Sequence, residues 1–230
     1  MRNSFRYCVT VFALGAMACS KSSAPEGPKA EILEAPAAVT AAATAMTAAP
    51  MASGSAIPVP TASGTAAAAE TIVLTAANTT VAFTGSKVGG GHNGTFGKVT
   101  GEVKLGVQLE ASELNVEIDI ASLHTDSTKL DNHLKSEDFF EVAKFAKATF
   151  KSTVIVPTPG KPDMYSVTGI MDIKGVRKTL KFPAKIERKA GGGVTANASF
   201  VIGRKGFHVD SDGLTDYLIK DEVGLSITIK

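Results

Sequence analysis

Three side chains in the second half of the chain carry the chemistry of a polar site: Asp131, His133 and Arg204. An acid, an imidazole and a guanidinium could hold a ligand's head or, brought together, move a proton. Spacing alone leaves duller roles as open. His133, with Asp131 near it, could equally cap or fix a loop. Arg204 lies on an otherwise apolar stretch and needs a partner, either an anionic headgroup or a carboxylate such as Asp131. Phe139 and Phe140 could line the entrance of a lumen or seal a core.

Other candidate motifs fail on context. His92, His124 and His208 lie in separate segments without the spacing of a zinc site, and no metal is expected. Gly89, Gly91 and Gly94 satisfy G-x-G-x-x-G, but the run opens no helix, so it reads as a barrel rim rather than a dinucleotide cradle. Asp210, Asp212, Asp216 and Asp221 hint at calcium. Leu214 and Thr215, however, stand where an EF-hand needs an oxygen ligand and a glycine, which leaves a solvated acidic loop. There is no G-x-S-x-G elbow, and the two cysteines, Cys8 and Cys19, both fall in the first twenty residues. The reading is a protein without catalysis and without a cofactor.

The elements that must position these residues read as strands. Leu114, Val116, Ile118 and Ile120 alternate with polar residues, as do Leu180, Phe182, Ala184 and Ile186, and again Leu225, Ile227 and Ile229. Further β-rich runs cover 80–86, 96–105, 149–156, 165–173 and 194–202. Turn signals fall at Asn93-Gly94, 157–162, Lys174-Gly175 and 191–193. About eight strands with regular turns predict an all-β, antiparallel barrel or sandwich. One helix is predicted over 127–142, with Leu130, Leu134 and the two phenylalanines on its face.

What precedes this domain is of another kind. Cys8 to Ala18 is an apolar run too short for a membrane span, which needs ~20 residues, but of the size of a secretory core. It ends Ala16-Met17-Ala18-Cys19, which resembles a bacterial lipobox with an unusual Met17. Residues 1–18 are therefore expected to be a lipoprotein-type signal peptide that leaves Cys19 lipidated. Ser20 points to the outer membrane of the periplasm; the other reading is an ordinary secretory peptide. Residues 19–70 are rich in alanine, with Pro36, Pro50, Pro58 and Pro60, and carry no charge from Ala35 to Ala69. Side chains so small bury too little to offset ordering entropy, which predicts a disordered tether. Its reach as a flexible coil would be roughly 40 Å.

Composition narrows the partners. The 230 residues hold 24 Lys+Arg against 22 Asp+Glu, for a net charge of +2, so no nucleic-acid surface is expected. Residues 71–230 have no cysteine and must rely on their core.

Several ordered blocks carry a family resemblance. They are His92-Asn93-Gly94-Thr95-Phe96 with Gly101, Ser122 to Asp126, Leu130 to Phe140, Ala148 to Thr153, Val167-Thr168-Gly169 to Gly175-Val176-Arg177-Lys178, and Gly203-Arg204. Together they resemble the YceI-like, polyisoprenoid-binding periplasmic proteins across essentially all of 71–230. The resemblance implies a lipocalin-like, eight-stranded antiparallel barrel with a short helix, whose apolar interior holds a long isoprenoid or fatty chain. The chain departs from the family pattern at Asn78, where a histidine is usual, and at Leu130, where an arginine is usual.

Physical chemistry supports such a carrier. An eight-stranded barrel is either just filled by its side chains or holds one small ligand. A chain of about twenty carbons would gain a gross ~16 kcal/mol on burial, less association and ordering costs. The expectation is therefore a carrier or store for an isoprenoid-type lipid, such as a quinone or polyprenyl compound, outside the cytoplasm. Its ligand-binding candidates are Asp131, His133, Phe139, Phe140 and Arg204. Expected partners are that lipid and a membrane reached through Cys19; a homodimer is left open. The alternatives are a ligand-free barrel serving in envelope stress or protein interaction and, less favoured, an isoprenoid-modifying enzyme using Asp131, His133 and Arg204.

Overall fold

The computed structural model describes residues 27–33, 70–211 and 218–230. The signal peptide, Cys19, most of the tether, and the acidic-loop residues Asp212, Leu214, Thr215 and Asp216 lie outside them. The strands in chain order are β1 (Glu31–Leu33), β2 (Glu70–Leu74), β3 (Thr79–Lys87), β4 (Gly90–Phe96), β5 (Val99–Leu105) and β6 (Glu113–Asp119). They continue as β7 (Leu123–Thr125), β8 (Lys147–Pro157), β9 (Met164–Ile173), β10 (Val176–Arg188), β11 (Val194–Gly203) and β12 (Ile219–Ile229), with α1 (Thr128–Lys135) between β7 and β8. The eight strands read from the sequence are all there, as β3, β5, β6 and β8–β12. The four additional strands are short or glycine-rich, which hides the period-2 signal.

One antiparallel sheet runs β2-β5-β6-β8-β9-β10-β11-β12-β3-β4-β7. It curls until β3 approaches β5, giving the half-closed, lipocalin-like barrel that the sequence leads one to expect. Alternation sets the inner face: Val167 and Met171 of β9, and Leu180, Phe182 and Ala184 of β10, are buried inward. In β8 the inward set is Ala148, Phe150 and Ser152, and then Ile155. A register shift between Ser152 and Val154 moves the pattern by one residue, as a bulge must.

Turn chemistry explains the hairpins. Lys174 and Gly175, with φ of 53° and 76°, make the two-residue β9–β10 turn, as expected from the sequence. Asn93-Gly94 is not the turn its residue types predict. It lies inside β4, and the reversal falls at Val88-Gly89 instead. The glycine at 94 serves packing: a Cβ there would lie 2.3 Å from the ring of Phe83 on the paired strand.

Residues 27–33, predicted to belong to a disordered tether, are part of the barrel. The β10–β11 ladder covers Ala184–Arg188 and stops at Pro183, which has no N–H to continue it. β1 enters the gap that opens there. It pairs with Thr179–Lys181 on one side, and on the other Ala30 donates to the Val201 carbonyl at 2.8 Å while Val201 donates to that of Pro28 at 3.0 Å. Ala30 is 4% exposed and joins the core. The ion pairs Lys29–Glu222 and Lys181–Glu31, both 3.3 Å, flank it at the surface.

The helix is shorter than its predicted span of 127–142. It ends at Lys135, where the Ser136 hydroxyl donates to the His133 carbonyl at 2.8 Å, and Phe139 and Phe140 fall in the turns that follow.

Candidate functional site

The barrel interior holds two spaces. The larger, a cavity of about 560 Å³, sits under α1 and the β3–β4 hairpin. Its walls are apolar side chains from seven strands, among them Phe83, Phe96, Ile202 and Leu225, with Leu134, Phe139 and Phe140 from the helix and the turn behind it. The smaller space, about 80 Å³, lies deeper and is lined almost wholly by aliphatic and aromatic side chains. Between walls this apolar, water makes few hydrogen bonds, and a hydrocarbon chain that displaces it gains its transfer free energy.

Polar groups gather at the rim of the larger cavity. Lys87, His92, Lys129, His133 and Arg204 all border it. His92 contacts Asp126 through Nδ1 at 2.7 Å, and His133 contacts Asp138 through Nε2 at 3.4 Å while packing edge-on against Phe139 at 4.9 Å between centroids. Lys87 and Lys129 form no ion pair among the described residues.

Four of the five candidates from the sequence, His133, Phe139, Phe140 and Arg204, thus meet at one cavity. Phe139 is buried and Phe140 half-buried, so the pair both seals the helix against the core and walls the lumen. Arg204 already has its partners. Its guanidinium donates to the backbone carbonyls of Val209 (2.8 Å), Lys220 (3.1 Å) and Ile219 (3.2 Å). Neither a bridge to Asp131 nor an open hand for a headgroup follows from this. Arg204 instead ties the segment after β11 to the start of β12 and so shapes the rim.

Asp131 is not in the cavity wall. It is 6% exposed, and its carboxylate accepts from the Thr125 hydroxyl at 2.6 Å, the Thr125 N–H at 2.7 Å and His124 Nδ1 at 2.9 Å. The Thr125 hydroxyl, against the opposing effect of burial and with help from His124 and the Thr125 N–H, holds its carboxyl below the usual carboxylate range. Asp131 therefore fixes α1 onto β7 and positions the helix that roofs the cavity. No three of the polar candidates converge as a catalytic set would. No group of His, Cys, Asp and Glu able to hold a metal occurs among the described residues.

Sequence reasoning missed most of the wall and the two rim lysines. The inward positions of the readable strands were a usable signal for Met171, Leu225 and Ile227. For Lys87, Lys129 and His92 there was none, because their convergence depends on how the hairpin and helix fold over the barrel end.

A half-closed antiparallel barrel around an apolar cavity, roofed by one short helix, defines a lipocalin-like protein. Residues 73–230 match the family model described as a YceI-like domain, and the chain belongs to that family. A UPF0312 protein of Pseudomonas savastanoi is 41% identical over 75 residues, 33% of this chain and 38% of that protein, so the alignment spans well under half of the relative. Among solved structures, BcnA of Burkholderia cenocepacia superposes with a TM-score of 0.62 at 24% identity, covering 67% of this chain and 96% of that one. A polyisoprenoid binding domain from Saccharophagus degradans does so with a TM-score of 0.58 at 16% identity, covering 70% and 97%. At these identities the likeness shows the fold.

Proposed function

We propose that this protein binds a long-chain isoprenoid-type lipid in the larger cavity and carries or stores it outside the cytoplasm. The observation that carries this reading is the cavity itself: about 560 Å³, walled by apolar side chains and edged by polar ones. That volume is in the range of small-molecule sites, and its lining rewards hydrocarbon without asking for a particular head. The family membership and the polyisoprenoid-binding domain among the structural relatives support the same class of ligand. Quinones and polyprenyl compounds are the ligands within that class that this reading favours. The open lumen weighs against a ligand-free barrel, and the separation of Asp131 from His133 and Arg204 weighs against an isoprenoid-modifying enzyme. The leader-like start and Cys19 support export and a lipid anchor in the outer membrane.

The test is organic extraction of the purified protein followed by mass spectrometry. A long-chain isoprenoid in near-stoichiometric amount is the expected result. Protein that stays empty, even after incubation with polyprenyl alcohols and quinones, overturns the reading.

A further inference from the structure

The two interior spaces share four lining residues: Val81 of β3, Ile118 of β6, Met171 of β9 and Ile227 of β12. These strands lie around the barrel rather than side by side on one wall, except for the neighbours β12 and β3. The four positions therefore ring the lumen where the two spaces, of about 560 Å³ and about 80 Å³, meet. We propose that the four side chains close this ring as a diaphragm, which is the floor of the lipid site and sets the length of chain that the protein takes. The inference rests on the lipid-binding reading above and adds to it a specificity determinant.

The side chains differ in a way that matters. Val81, Ile118 and Ile227 are β-branched and stiff at χ1. Met171 is unbranched and can change shape by rotation about three bonds. It is also buried, 5% exposed, and borders both spaces. Below it the lower space is bounded by Phe150, Phe182 and Ala198, and no charged group apart from Glu113 at its margin interrupts the apolar lining. A hydrocarbon end that passed Met171 would stay in a dry, apolar compartment. Shortening Met171 joins the two spaces; enlarging Ala198, which borders only the lower one, removes the room gained.

The experiment measures affinity of the full chain for all-trans prenyl alcohols of increasing length, from two to eight isoprene units, by calorimetric titration. For the unaltered protein, affinity should rise with length and then level off. Met171→Ala should move that levelling point to a longer alcohol, with a gain of at least tenfold for the first alcohol beyond it and little change for the shortest. Adding Ala198→Leu to Met171→Ala should cancel the gain, and Met171→Phe should move the levelling point to a shorter alcohol. A uniform change across all lengths, or none in any variant, overturns the floor while leaving lipid binding intact. If the unaltered protein binds none of the alcohols, the lipid reading fails and the floor falls with it.

Discussion

The lower and upper halves of the lumen share six strands, β3, β6, β8, β9, β11 and β12, yet do opposite things. In the lower half, phenylalanines fill the space: Phe182 stacks on Phe200 at 4.1 Å between centroids, and Phe150 lies 5.5 Å from Phe182. Phe150 fits because Gly169 on the neighbouring strand has no side chain; a Cβ there would sit 2.4 Å from its ring. In the upper half an aromatic over a glycine has the other effect. Phe83 leans over Gly94, against its own wall, and the middle of the barrel stays empty. The comparison teaches that storage here comes from which way the large residues lie, since both halves contain them.

The sharpest way to break this comparison is to make one kind of truncation on both sides of the divide. Leu180→Ala, at a position with no exposure in the filled half, should cost roughly 2–5 kcal/mol of unfolding free energy by leaving a void. Leu134→Ala, at a half-buried position on the cavity side of the roof helix itself, removes the same atoms from a place that already borders empty space. Its cost should be smaller, about 1 kcal/mol, from lost area alone. Denaturant unfolding checks both, and equal losses would erase the distinction between a packed and an open half.

A second prediction concerns the roof. The Asp131 carboxyl is held below its usual range, so it contributes stability that is present above the unfolded value near 3.8. That contribution is lost as pH falls through the lower folded value. Asp131→Asn should therefore lower the denaturation midpoint at neutral pH and flatten its decline below about pH 4. A variant that loses stability equally at all pH values would show that the charge on Asp131 does not matter.

The smallest effect belongs to the surface. Lys181→Ala removes the exposed pair with Glu31 and should cost roughly 0.2–1 kcal/mol, less in high salt. A larger loss would mean that β1 depends on that pair more than on its main-chain bonds.

Much of the barrel was legible because half-buried antiparallel strands write alternation into the sequence, as β6, β10 and β12 do, and because β-rich runs between turn signals mark the other five long strands. β4 was not, since Gly90, Gly91 and Gly94 carry no pattern and imitate a loop. The helix end was misplaced because the apolar residues Phe139 and Phe140 continue its period, while a local serine-to-carbonyl bond stops it. The site was legible in its aromatic residues and only partly in its polar ones. Arg204 was identifiable as a group needing a partner, with Asp131 as one candidate, but among the described residues Arg204 binds backbone carbonyls and Asp131 a threonine and a histidine, none of which has a spacing to read. β1 was illegible for a related reason: its place is created by Pro183, some 150 residues further along the chain.

That strand changes the mechanics of attachment. Only eight positions separate Cys19 from Gly27, the first described residue and one that lies against the backbone of Phe200, and stretched out they reach about 27 Å. A protein hung from a fatty group on Cys19 would ride close to the bilayer, since β1 is already paired with β10 before the alanine-rich stretch begins. Were the chain cut between β1 and β2, the barrel would not at once be set adrift: three paired residues and two buttressing hydrogen bonds would still moor it.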